Sequence, residues 1–309
     1  MKGMVSVKIN NVAIVGMGAL GMMYGQLIQR GLPEADVRFV MDGVRLARHK
    51  NDVYKVNGEI QRFTLEDAAA AGPADLVIVA TKYGGLDGAI SEMQGLAGSG
   101  AVIISVLNGI TSEEKLMARY GRDNVLHCVV LGMDAVRIGT ELTYQHTGLI
   151  KIGMVNEKQR PALDAVTDFF DRAGLAYRVE EDILHALWAK LLLNVGINQT
   201  CMVYETDYGG ALADDEARAS MYAAMHEVIA VAQAEGVSLT EEDFGECVRV
   251  LRGLNGSGLP SMRQDALAKR PSEVELFAGT IIKLARRHNI PAPVNERYYR
   301  RIKEIEAGY

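Results

Sequence analysis

The chain has 309 residues, 49% of them hydrophobic and 23% charged, the composition of a soluble globular protein with enough chain for two cores of ordinary size. A net charge of −6 argues against a nucleic-acid partner, and no apolar run approaches the ~20 residues that span a bilayer. Met1–Lys8 lacks the apolar stretch and cleavage site of a signal peptide, and Cys128, Cys201 and Cys247 stand far apart in no C-x-x-C pair. The expectation is a cytoplasmic protein with reduced thiols, no metal and no membrane partner.

Asn11–Val15 is a short apolar, β-prone run, followed by Gly16-Met17-Gly18-Ala19-Leu20-Gly21 and a helical stretch. This is strand, tight turn and helix start. Gly16 suits the turn, a side chain at Gly18 would block a pyrophosphate, and Gly21 lets the helix pack on the sheet. The helix N-terminus then faces the phosphates. Asp42, at the end of the next strand, completes a dinucleotide-binding pattern and favours NADH over NADPH, because a carboxylate there takes a ribose 2′-hydroxyl and repels a 2′-phosphate. Arg45, Arg48 and Lys50 are near enough in sequence to compensate.

Strands are predicted at 12–15, 37–41, 76–81 and 102–107, with helices at 19–30, 86–96 and 112–120. Such alternation implies a parallel sheet covered on both faces. Later strands are expected at 125–131, 142–144, 149–152 and 176–179, with a helix at 161–173. From about residue 181 helical windows dominate, at 183–203, 213–235, 241–254, 273–288 and 294–306. Thr240–Asp243 and Ser272–Glu275 read as helix N-caps, the second as a capping box. Asn255–Ser261 reads as a loop whose glycines could hinge. The fold class is therefore α/β, a doubly wound sheet domain over residues 1–180 and an all-helical domain over 181–309.

Within the window 183–203, Lys190, Asn194 and Asn198 recur every fourth residue, so they form one stripe that drifts about 80° over two turns. The remainder of the segment is strongly apolar. Polar groups on a buried helix need partners, since an unpaired one costs ~1–3 kcal/mol. Substrate oxygens would serve; so would neighbouring backbone for the asparagines and solvent for the lysine. His226-Glu227 begins a metalloprotease-like pattern, but Ala230 stands where its second histidine belongs, so no zinc site follows.

With these motifs the chain resembles the ketopantoate reductases (2-dehydropantoate 2-reductases) over nearly its whole length. The marks are the Gly16/Gly18/Gly21 loop, Thr81-Lys82, Leu107-Asn108-Gly109, the Lys190/Asn194/Asn198 helix and Ser261-Met-Arg-Gln-Asp265 followed by Glu273. The resemblance implies a Rossmann-type first domain, NADP or NAD as cofactor, and hydride transfer to the keto carbon of a small 2-keto acid such as 2-dehydropantoate. Lys190 would protonate the developing alkoxide, a role suited to an amine whose pKa burial lowers. Asn194, Asn198 and Ser261 would hold the substrate. Lys82 and Asn108 would sit beside the nicotinamide ribose, with Ala135 also on the cofactor, and Glu273 would bond the cofactor or position the lysine. A homodimer is the partner arrangement the resemblance allows.

Three departures stand out: Asp42 where the family usually has arginine, Leu107 where it has glutamine, and Gln199 where it has proline. They leave open an NAD-dependent D-2-hydroxyacid dehydrogenase acting on bulkier keto acids. They also leave open a dinucleotide-binding regulatory protein without catalysis, although such a protein needs none of Lys190, Asn194, Asn198, Ser261 and Glu273.

Overall fold

The computed structural model describes residues 8–98 and 100–309; Met1–Val7, most of the segment read against a signal peptide, lies outside the described residues. The chain divides into two compact units, Met1–Leu107 with Ser112–Ile183, and Asn108–Thr111 with Leu184–Tyr309.

The first unit runs through β1 (Asn11–Val15), α1 (Ala19–Gly31), β2 (Asp36–Met41), α2 (Gly43–His49), β3 (Tyr54–Val56), β4 (Glu59–Gln61), β5 (Thr64–Asp67), β6 (Leu76–Val79) and α3 (Leu86–Glu92). It continues with β7 (Val102–Ser105), α4 (Ser112–Tyr120), β8 (Val125–Met133), β9 (Val136–Ile138), β10 (Glu141–Thr143), β11 (Thr147–Gly153), α5 (Arg160–Ala173) and β12 (Tyr177–Val179). Eight strands form one sheet in the order β12-β11-β8-β7-β6-β1-β2-β5. Neighbours are parallel except β11 against β8.

Val12 and Ile14 enter one core with Ile28 and Phe169, while Ala13 and Val15 enter the other with Leu86 and Leu116. A strand covered on both faces must be apolar at every position, which is why β1 reads as an unbroken run. With β6 on one side of β1 and β2 on the other, the strand order reverses at β1. The carboxyl edge of the sheet at that reversal is where α/β folds bind ligands.

Strands β3, β4, β9 and β10 make a second sheet in the order β4-β3-β10-β9. Of these β10 alone was legible in sequence, as the strand expected at 142–144; strands of three residues are too short to show a clear alternation. The helix expected over 86–96 ends at Glu92 and tightens into a 3₁₀ turn, Met93–Gly95. A Cβ on Gly95 would lie 2.7 Å from the Ala71 carbonyl oxygen, so the glycine marks a close chain crossing.

The second unit holds α6 (Ile183–Val203), α7 (Tyr208–Ala213), α8 (Asp215–Ala234), α9 (Glu241–Gly253), α10 (Ser261–Leu267), α11 (Thr280–Arg287) and α12 (Pro293–Glu306). The window 213–235 corresponds to α8, preceded by α7 and capped by Asp214, whose carboxylate accepts from the Ala217 N–H at 2.7 Å. Thr240 and Asp243 close a reciprocal capping box at α9.

The capping box expected at Ser272–Glu275 does not form. The Ser272 N–H donates to Glu306 at 2.7 Å, and Glu275 instead takes the Tyr299 hydroxyl and the Lys303 ammonium, each at 2.8 Å. The helix expected from 273 therefore opens as a π-helical turn, Glu275–Gly279, ahead of α11. The cause is a side chain inserted into its ladder: Gln199 Oε1 accepts from the Ala278 N–H at 3.1 Å, the kind of intrusion that widens a helix locally. Among the described residues no helix is long and apolar enough to cross a membrane.

Candidate active site

In the first unit the Gly16–Gly21 turn joins β1 to α1. Gly16 has φ +110°, and a Cβ there would lie 2.5 Å from the Ala80 carbonyl carbon. A Cβ on Gly21 would lie 2.1 Å from the Gly16 carbonyl oxygen. Those two glycines are required by the protein itself. Gly18 differs: its φ of −79° suits any residue, and its Cβ would approach nothing nearer than the Ala80 carbonyl oxygen at 3.6 Å. Neither backbone nor packing demands glycine there, which leaves room for a phosphate as the reason. No side chain caps α1, so the turn fits a dinucleotide pyrophosphate on residues Gly16, Met17, Gly18, Ala19, Leu20 and Gly21. The Met17 carbonyl accepts a hydrogen bond from the Arg137 guanidinium. Arg137 sits on β9, two residues beyond Ala135, and no local signal in sequence connects it with this loop.

Asp42 follows β2 directly and caps α2, its Oδ1 accepting from the Arg45 N–H at 2.9 Å. Asn-type and Asp-type caps satisfy a free N–H at a helix start, so this carboxylate has a structural duty beside any contact with ribose. Arg45 pairs with Glu92 at 3.6 Å, while Arg48 and Lys50 are exposed. Lys82 starts the 3₁₀ turn Tyr83–Gly85 at the carboxyl end of β6. Ala135 lies in the turn leaving β8, which Asp134 Oδ1 holds by accepting the Gln145 and His146 N–H groups at 2.8 Å each.

In the second unit the structure brings together residues far apart in the chain. Lys190 Nζ donates to Asn108 Oδ1 at 2.8 Å, and Asn108 Nδ2 donates to Glu273 Oε2 at 2.8 Å. The amide thus bridges an ammonium and a carboxylate, and its orientation follows from its partners, since only the oxygen can accept and only the nitrogen can donate. One and two turns along α6, Asn198 Nδ2 donates to Asn194 Oδ1 at 3.1 Å. Lys190 and Asn194 are half-buried and Asn198 is 5% exposed. Ser261 is the exposed first residue of α10 rather than part of a loop. Residues 255–260 are tied to α7 by hydrogen bonds from the Tyr208 and Gly209 N–H groups to Gly258 and Gly256, at 3.1 and 2.7 Å.

Just after Ser272, whose hydroxyl accepts from the Val274 N–H at 3.3 Å, Glu273 turns its carboxylate to Asn108. The two departures beside the expected substrate positions are also structural. Leu107 is 7% exposed and belongs to a core of the first unit. Gln199 is fully buried, its amide bonded to Val195, Asn295 and Ala278. His226 and Glu227 serve separate partners, Glu227 accepting the Val294 and Asn295 N–H groups at 2.8 and 2.9 Å. Among the described residues no group of three or more His, Cys, Asp or Glu is placed to hold a metal.

A Rossmann-type sheet with a glycine-rich turn after its first strand, joined to a helical unit carrying a lysine–amide–carboxylate chain, defines a class of nicotinamide-linked oxidoreductases. Within that class the chain belongs to the ketopantoate reductase PanE/ApbA family: the family's first part matches residues 12–157 and its C-terminal part residues 182–306. It is 24% identical to the 2-dehydropantoate 2-reductase of Streptococcus pyogenes over 301 residues, 95% of this chain and 96% of that one. It is similar in fold to a D-mandelate dehydrogenase solved with NADH and anilino(oxo)acetate, with a TM-score of 0.87 and 18% identity over 96% of this chain and 98% of the other. The dimeric ketopantoate reductase of Staphylococcus aureus gives a TM-score of 0.79 and 23% identity over 96% and 99% of the two chains.

Proposed function

We propose that the protein reduces a small 2-keto acid, 2-dehydropantoate first among them, to the 2-hydroxy acid. The first unit would hold the dinucleotide on Gly16–Gly21 with Asp42, Lys82 and Ala135, and bound reduced nicotinamide supplies the hydride. The observation that carries the reading is the Lys190–Asn108–Glu273 chain in a member of this family. As hydride reaches the keto carbon, negative charge builds on the carbonyl oxygen. Lys190 donates a proton to that oxygen, and its positive charge stabilises the developing alkoxide. Asn108 keeps the ammonium in one place, while Glu273, through the amide, balances its charge and orients it. Asn194, Asn198 and Ser261 bind the substrate's carboxylate and hydroxyl groups with neutral donors.

Asp42 supports NADH as the preferred cofactor. A D-2-hydroxyacid dehydrogenase is the second reading, supported by the fold likeness to the NADH-bound D-mandelate dehydrogenase. The dimeric Staphylococcus relative supports a homodimer, and three buried cysteine thiols support a reducing, cytoplasmic setting.

The test is the absorbance at 340 nm of purified protein with 2-dehydropantoate and either NADH or NADPH. Rapid oxidation is the expected result. Silence with both, while a panel of branched and aromatic 2-keto acids is turned over, selects the dehydrogenase reading. Cofactor binding without turnover of any keto acid would leave the regulatory alternative.

A further inference from the structure

Asp42 has a companion carboxylate. Glu92, the last residue of α3, places Oε1 3.6 Å from Arg45 Nη1; its side chain is 13% exposed, against 40% for Arg45. Its other oxygen, Oε2, is buried and meets no hydrogen-bond donor among the described residues. Burial pushes the Glu92 carboxyl above the ordinary carboxylate range; Arg45 pulls it down and Asp42 pushes it up. Asp42, Arg45 and Glu92 therefore form one electrostatic group at the end of β2, with two negative charges and one positive. Arg45 is the first basic side chain after β2, the position from which a guanidinium takes a ribose 2′-phosphate in NADP-binding folds. Here its backbone is bound by Asp42 and its guanidinium by Glu92.

We infer that Glu92 is a second determinant of cofactor choice: it withdraws Arg45 from a 2′-phosphate and, with Asp42, leaves an acidic surface suited to a 2′-hydroxyl. The inference rests on the reading that the first unit binds a nicotinamide dinucleotide. It assigns to the Glu92–Arg45 pair what sequence alone credits to Asp42. A 2′-phosphate brings nearly two further negative charges beside two carboxylates, whereas a hydroxyl brings none and can donate to Asp42. The same geometry makes Glu92 a positioning residue, acting on the cofactor through Arg45.

The test is the dissociation constant of NADH and of NADPH, by fluorescence titration, for wild type, E92Q, R45A and the double variant E92Q/R45A. E92Q keeps the size of the side chain and removes its charge, so Arg45 is released. NADPH should then bind ~10-fold tighter, with NADH changed less than ~3-fold, and the double variant should lose the gain. A ratio of the two constants unchanged in E92Q overturns the inference, as does an equal change for both nucleotides, the signature of a purely structural role. Wild type that binds neither nucleotide overturns the dinucleotide reading and the inference together; wild type that binds NADH with an unmoved ratio in E92Q overturns the inference alone.

Discussion

The two halves of the candidate machinery are built in opposite ways. The turn after β1 is a backbone device spanning six consecutive residues, and of its three glycines Gly18 is the one that neither backbone conformation nor packing requires. The Lys190 site is a side-chain device, assembled from residues 82 and 165 positions apart in the chain. A backbone site is specified by local conformation and is broken by adding a single methyl group. A side-chain network is specified by packing and is broken by removing one partner.

The largest effect should come from Lys190→Ala, with kcat falling by ~10²–10⁴ and cofactor affinity changed less than ~2-fold. Steady-state kinetics with nucleotide titration would check this, and a parallel loss of nucleotide binding would collapse the contrast between the two regions. Next, Gly18→Ala should weaken dinucleotide binding by ~10-fold or more at unchanged Tm, because its Cβ has room in the protein but not beside a phosphate. Gly16→Ala should instead lower Tm, since both its φ and the Ala80 carbonyl oppose a side chain. If both variants merely lower Tm, the Gly18 argument is wrong.

Smaller still is the effect at Gln199, whose amide joins α6 to the π-helical turn and α12. Gln199→Ala should cost ~1–3 kcal/mol of stability by leaving buried partners unpaired, with KM for the keto acid nearly unchanged. A large KM effect would return this residue to the substrate-facing role its place next to Asn198 invites.

The smallest expected effect is a pH dependence confined to the first unit. Burial, opposed by hydrogen bonds from Ser112 and from backbone, raises the Glu113 carboxyl to about 7. Its stabilising contribution is complete below its unfolded value of 4.5 and is lost as pH rises through about 7. His127 has the opposite sign: burial and Arg122 lower it from 6.5 to about 4, so its contribution is complete above 6.5 and lost as pH falls through about 4. Their slopes oppose each other between pH 4.5 and 6.5, so the Glu113 effect is clearest from pH 6.5 to about 7. Over that range Tm should fall with rising pH, and Glu113→Gln should flatten the slope. An identical slope in the variant would remove Glu113 as its cause.

Much of the architecture was legible because it follows from local pattern. β1 reads from an unbroken apolar run, α4 from Ser112–Tyr120 and α6 from the helical window 183–203, each with the bounds the structure shows to within a residue. The failures have one cause. The Ser272 box, the π-helical turn and the strands β3, β4 and β9 of the small sheet depend on partners elsewhere in the chain: Glu306, Gln199, or a neighbouring strand. The i, i+4 stripe on α6 was visible, but not that its lysine reaches Asn108 while its asparagines bond each other.

Sequence by itself determined the strand–turn–helix of the Gly16–Gly21 loop, the change to helices near residue 181 and the residues that mark the family, because each is a matter of conformation or composition within a few turns of chain. Tertiary structure alone decided that Asn108 bridges Lys190 and Glu273, that Gln199 widens a helix 79 positions away, and that Glu92 holds Arg45. Hydrogen bonds and ion pairs act over about 3–4 Å, and residues far apart in sequence come within that range only after the cores have packed.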